Sequence, residues 1–242
     1  MFKGKITSIE DIFKSDTEKR GLVINIIMCI ITFITFYFGP MIFNSVLASF
    51  ISDKLVCSTI ARILTIVIIF LYYFKDLKAE AKELKNKPGS KIGTAFKYYG
   101  LGMAVMILSN FILLIIFKSI ATNETEVREM LRSYPVIMMF TISIIAPLSE
   151  ELAFRKSLSP LFKNKWLYAL VSGFLFGLAH LTVEITGADF NVARLLYVIP
   201  YGSLGFAFAL MNRETKTTFT SMFIHGVHNF ATGLLVLASG VL

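Results

Sequence analysis

Cysteine is scarce in this 242-residue sequence: Cys29 and Cys57 each stand alone in an apolar run, and neither belongs to a C-x-x-C pattern. A disulfide framework and a cysteine metal site are therefore not expected, and the two read as small membrane-buried side chains. Charge is thin as well, at 17% Asp, Glu, Lys and Arg, too little for the surface of a soluble domain of this length. Internal repeats and low-complexity segments are absent. A secretory signal peptide is not expected: residues 1–20 are too polar for its apolar core and the run after them is too long. The first span is accordingly expected to stay in place as an anchor. The net charge of +8 does not imply nucleic acid, because the basic residues lie between apolar runs and not on one soluble face.

What is present is apolar. At 55% hydrophobic residues and a mean hydropathy of +0.70, the chain reads as an all-α polytopic transmembrane bundle of about seven spans around a polar cavity. The expected spans run from Gly21 to Phe50, Leu55–Phe74, Tyr98–Phe117, Tyr134 to Ser157, Trp166–Thr186, Val192–Met211 and Thr218–Val241. Gly39-Pro40 should kink or end the first. Lys75–Lys97 reads as a basic connector with a short helix at Lys75–Lys85, and Lys118–Ser133 as a mixed-charge loop. Domain organisation follows: an N-terminal segment 1–20, an N-terminal transmembrane region 21–130 and a catalytic transmembrane region 131–242. Of the 24 Lys and Arg, only Lys54, Lys118, Arg128, Arg132 and Arg194 fall on the side opposite the N-terminus, and Arg62 lies within a span, where it must snorkel or find a partner. That asymmetry places the N-terminus in the cytoplasm and the C-terminus outside.

Ionisable residues at membrane depth cost about 2.5–3.5 kcal/mol each at a helix centre on insertion scales, so they mark function. Glu150, Glu151 and Arg155 follow one another in I-S-I-I-A-P-L-S-E-E-L-A-F-R. Arg155 lies four residues from Glu151, at helical pairing distance. All three histidines, His180, His225 and His228, fall in expected spans. His225 and Asn229 share a helix face, and Gly226 between them admits a close neighbour. Gly173 and Gly177 form a small-x-x-x-small face leading to His180. Three helices thus offer carboxylate, imidazole and amide to one interior. A desolvated glutamate can take a proton from water, an imidazole can hold that water, and histidine and asparagine donors can stabilise an oxyanion.

The succession Glu150-Glu151-x-x-x-Arg155, Phe176-x-x-x-His180 and His225-x-x-x-Asn229 resembles the CPBP family of intramembrane proteases. That family includes the type II CAAX prenyl endopeptidases and bacterial relatives linked to bacteriocin immunity and peptide processing. The resemblance spans Glu150–Asn229. It implies a glutamate-dependent endopeptidase in which Glu150 is the general base and His180 holds the water with it. His225 and Asn229 would form the oxyanion site, with Glu151 and Arg155 in support. His228 matches no motif position and is read as packing. Glu184, four residues past His180, could orient that ring, but the end of a span favours a solvated role.

No cofactor is expected. Zinc held by Glu150, His180 and His225 is the less favoured alternative, since His-Glu-x-x-His is absent and asparagine is a poor zinc ligand. Aspartyl chemistry is disfavoured because Asp53, Asp76 and Asp189 are read in loops. A serine nucleophile at Ser203 is disfavoured because glycine two residues before it is missing. The expected partners are membrane lipids and a peptide or membrane-protein substrate, in a multi-pass protein of a cell membrane, with a bacterial cast to the composition. Two rival readings stand: a non-proteolytic immunity or regulatory protein that binds a peptide or partner membrane protein in the same cavity, and a Glu/His proton-relay transporter, for which inverted repeats are lacking.

Overall fold

The computed structural model describes residues 20–85, 87–187 and 191–240, and among them every regular element is helical. The expected segment 1–20 thus lies outside the described residues except for Arg20. Helix α1 spans Leu22–Leu47, α2 Lys54–Tyr72, α3 Phe74–Leu84, α4 Pro88–Phe117 and α5 Thr122–Ser133. A compound helix, α6, covers Pro135–Leu161. Helices α7 (Lys165–Ala179), α8 (Thr182–Thr186), α9 (Val198–Thr215, preceded by a 3₁₀ turn at Val192–Tyr197) and α10 (Thr218–Ser239) complete the chain.

Six of these, α1, α2, α4, α6, the segment Val192–Thr215 and α10, are long and apolar enough to cross a membrane. The protein is a multi-pass membrane bundle. The segment expected as one span over Trp166–Thr186 is two helices, because α7 ends at Ala179 and the chain turns at His180 and Leu181. With 15 residues, α7 is about 22 Å long, short of a 30 Å hydrocarbon layer.

Two further expectations are corrected. Gly39-Pro40 does not end α1, which runs unbroken through Pro40. Gly39 serves packing there: a Cβ on it would lie 2.9 Å from Thr65 of α2. The segment read as a mixed-charge loop is helix α5, held by its own Glu124–Arg128 pair at 2.8 Å, four residues apart. The connector's short helix is present as α3.

Close packing of α7 on α9 is set by glycine. A Cβ at Gly173 would lie 2.7 Å from the Gly202 carbonyl and 2.8 Å from the Phe206 nitrogen, and one at Gly177 would lie 2.7 Å from the Val198 carbonyl. Backbones in such contact gain dispersion that a larger residue forfeits. We expect Gly173→Val to lower stability by about 1–3 kcal/mol or more through overpacking. Gly100→Val, at a position with nothing within 4 Å of its Cβ site, should leave the thermal midpoint in detergent unchanged. Equal midpoints for the two variants would contradict this packing account.

Candidate active site

The site is built on α6, where Pro147 disturbs the hydrogen-bond ladder. Proline has no N–H to donate, and residues Thr141–Ile145 adopt π geometry, with the Ala146 N–H bonded to the Thr141 carbonyl. In that i→i+5 register the donor for the Ile142 carbonyl would be Pro147, which has none. Asn229 of α10 supplies it: its Nδ2 donates to the Ile142 carbonyl at 2.8 Å. Gly226, one turn earlier on α10, permits the contact, since a Cβ there would meet the Ser143 carbonyl at 2.6 Å. A second π turn at Leu152–Lys156 follows the α-helical stretch Ala146–Glu151. The two glutamates stand between these π turns.

Their environments differ. Glu151 is fully buried and each of its oxygens faces a basic nitrogen: Oε2 forms an ion pair with Arg155 Nε at 3.1 Å, and Oε1 accepts from His225 Nδ1 at 3.1 Å. Glu150 keeps 17% of its side chain exposed, and its Oε2 has no hydrogen-bond partner among the described residues. The nearest basic atom to it is His225 Nε2, at 3.7 Å. Because Glu151 accepts, the His225 Nδ1 carries a proton, and Nε2 is the atom turned toward Glu150. Tyr37 of α1 is close enough to feel the Glu150 charge.

Arg155 is also fully buried. Its Nη1 donates to Ser172 Oγ at 3.1 Å, and its guanidinium lies 4.7 Å from the Phe176 ring centre and 5.7 Å from that of Phe208. Phe208 in turn stacks on His225 at 4.8 Å. Aromatic faces are favourable neighbours for a desolvated cation.

His180 lies in the turn after α7. Its Nδ1 is 2.9 Å from the Phe176 carbonyl, an acceptor, so the proton sits on Nδ1 and Nε2 keeps its lone pair. The ring is sandwiched between Phe176, at 4.5 Å, and Tyr201, stacked at 4.7 Å. Phe176 lies 5.7 Å from His225 on its other flank. Glu151, Arg155 and His225 thus form one bonded group, with Glu150 beside it, 3.7 Å from His225 Nε2. Asn229 fastens it to α6, and His180 reaches it across Phe176. Among the described residues no hydrogen bond or ion pair joins His180 directly to Glu150.

Other residues singled out in the sequence go elsewhere. Glu184 is neither solvated nor bonded to His180; it is buried, and its Oε1 accepts the Thr122 N–H, capping the first turn of α5. His228 faces α4, with Nδ1 3.1 Å from the Tyr99 hydroxyl. Ser203 donates to the Pro200 carbonyl at 2.7 Å, away from the glutamates. Asp76 is not in a loop but in α3, and Asp189 lies outside the described residues. Arg62 is exposed on the outer face of α2. Cys29 and Cys57 are separate, free and buried. Glu150, His180 and His225 do not gather as a ligand set; among the described residues no three His, Cys, Asp or Glu have metal-binding spacing. The contribution of Tyr201 is invisible in sequence, since a single tyrosine in an apolar span carries no signal of what it stacks on.

Comparison with known proteins agrees with the motif reading. Residues 132–231 match the model of the family described as Rce1-like, type II CAAX prenyl endopeptidase. The chain is 26% identical over 175 residues to "UPF0177 protein YxdF" of Lactococcus lactis subsp. lactis (strain IL1403), covering 70% of this chain and 90% of that protein. It is 27% identical over 110 residues to "Putative membrane peptidase YdiL" of Bacillus subtilis (strain 168), covering 44% of this chain and 40% of that one. No solved structure matches it significantly. The matched family and the second relative's name point to a membrane protease, and the matched region contains all three motifs.

Proposed function

We propose that a chain with this Rce1-like region is a glutamate-dependent intramembrane endopeptidase, with Glu150 as the base. The observation that carries the reading is the asymmetry of the two glutamates. Glu151 is fully buried with each oxygen 3.1 Å from a basic nitrogen, and serves to orient His225 and neutralise Arg155. Glu150 instead keeps 17% of its side chain exposed, and its Oε2 lies no nearer than 3.7 Å to a basic nitrogen of the described residues.

In this mechanism a water molecule gives one proton to Glu150 while its other hydrogen, kept on the oxygen, is hydrogen-bonded to the lone pair of His180 Nε2. The hydroxide that forms attacks the scissile carbonyl carbon. The oxyanion is met by His225, acting as an imidazolium with Nδ1–H on Glu151 and Nε2–H toward the oxyanion, and by the Asn229 amide hydrogen not used on Ile142. The proton taken by Glu150 passes to the leaving amine as the C–N bond breaks. General base catalysis and oxyanion stabilisation of this kind supply about 10²–10⁴ and 10²–10³ respectively. Every step is assigned to side chains, so we expect hydrolysis to persist in EDTA.

The test is to incubate the purified protein in liposomes with a mixture of apolar peptides in H₂¹⁸O containing EDTA. Peptides cleaved with one ¹⁸O in each new carboxyl group are expected. Cleavage abolished by EDTA and restored by zinc would overturn the metal-free mechanism. A protein that binds peptides and cleaves none would be a binding or immunity module.

A further inference from the structure

Helix α3 presents Asp76, Glu80 and Glu83 at positions i, i+4 and i+7, which places three carboxylates on one face. Together they hold several elements. Asp76 pairs with Arg20 at the head of α1, and its Oδ2 also lies 4.0 Å from Lys156 Nζ, farther than Glu80 Oε1 at 2.9 Å. Glu83 accepts from Lys91 Nζ, in the first turn of α4, at 2.9 Å. Glu80 holds two: its Oε1 accepts from Lys156 Nζ at 2.9 Å, and its Oε2 accepts the backbone N–H of Thr218 at 2.6 Å.

Those two partners matter because of the helices they belong to. Lys156 closes the π turn that follows Glu151 on α6. Thr218 opens α10, two turns before His225, where a carboxylate also meets the positive end of the helix dipole. The Lys156 and Glu80 side chains are 6% and 14% exposed, so little water competes for the contact. A second strand of bonds leaves from the same point. Thr218 Oγ1 accepts from Asn212 Nδ2 at 3.1 Å, and Asn212 Oδ1 accepts from the Tyr168 hydroxyl at 3.0 Å. That hydroxyl lies 3.3 Å from the Arg155 carbonyl. The end of α10 is thus tied to α6 twice, once through Glu80 and once through the turn that carries Arg155.

We infer that Glu80, outside the family-matched residues 132–231, is a positioning residue of the site. It sets the separation of α6 and α10 and so keeps His225 Nε2 opposite Glu150. The inference rests on the reading of Glu150 as base, and the experiment separates the two. A displacement of about 1 Å at a reacting centre can cost on the order of 10²-fold in rate, so a bond that fixes two helix ends has leverage on turnover.

The test compares wild type, Glu80→Ala, Glu80→Gln and Lys82→Gln, the last an exposed charge on the same helix. One arm measures kcat and KM on a fluorogenic peptide that wild type cleaves and Glu150→Gln does not. The other measures the distance between nitroxides at Lys163→Cys and Phe223→Cys, with Cys29 and Cys57 replaced by serine. We expect Glu80→Ala to lower kcat about tenfold or more with KM within about twofold, and to broaden the distance distribution. Glu80→Gln, which keeps one acceptor oxygen, should fall between, and Lys82→Gln should match wild type. A kcat and distance distribution like wild type in Glu80→Ala would overturn the inference; if that variant does not accumulate, Glu80→Gln decides by the same two measures. Should wild type cleave no peptide while the distances shift, the hydrolytic reading fails and the clamp between the helices stands.

Discussion

Glu150→Gln should lower the rate of peptide hydrolysis by about 10²–10⁴-fold, the usual contribution of a positioned general base, and leave the fold unchanged. Glutamine has the shape of glutamate but cannot take a proton from water at neutral pH. The substitution removes no structural bond, because Glu150 Oε2 accepts none from the protein. Stability should therefore stay within about 0.5 kcal/mol of wild type, as for positions without a structural partner. Kinetics of the purified protein, read beside its thermal midpoint, checks both halves. A variant that loses activity by unfolding would refute the claim that Glu150 is spare to the structure.

The converse holds for Arg155. It is wholly buried, paired with Glu151 and laid against Phe176 and Phe208. Arg155→Met keeps most of the volume but leaves the Glu151 carboxylate buried with its main counter-charge gone. Breaking one partner out of a buried pair costs about 3–5 kcal/mol, because the surviving charge has lost both water and its counter-ion. The double variant Glu151→Gln/Arg155→Met removes both charges and should recover part of that loss. It should remain impaired, since glutamine can still accept from His225 Nδ1 but no longer supplies the negative charge that supports the protonated ring. Unfolding in detergent by temperature or denaturant reads the three variants together. A single variant as stable as wild type would show that Arg155 does not neutralise Glu151.

Much of this arrangement was legible in sequence. The four-residue spacings of Glu151 with Arg155 and of His225 with Asn229, inside apolar runs, predicted a shared polar interior, and the Glu151–Arg155 pair is present. The span limits of α2 and the head of α10 also agree, because apolar length alone decides them. The rest depends on geometry that 3.6-residue periodicity does not carry. The π turn at Thr141–Ile145 is tied to Pro147 and to α10 packed against it, so the bond that Asn229 gives the Ile142 carbonyl, beside the oxyanion role expected of it, has no signal in the sequence. Glu184 looked solvated because it lies near a span's end; that end is covered by α5, whose Thr122 N–H needs an acceptor. The acids of α3 were lost in a segment whose composition is basic, although their i, i+4, i+7 spacing was there to read. Pro40 looked like a break because its missing hydrogen bond is a local cost, which packing of Gly39 on α2 outweighs.

The central claim is that Glu150 makes this protein a protease, and the most direct measurement is a comparison of membrane-derived peptides from cells carrying wild type and cells carrying Glu150→Gln at equal expression. The account predicts a set of peptide termini present with wild type and missing with the variant, matched by uncut precursors that accumulate. Identical peptide profiles, with both proteins folded and in the membrane, would contradict it.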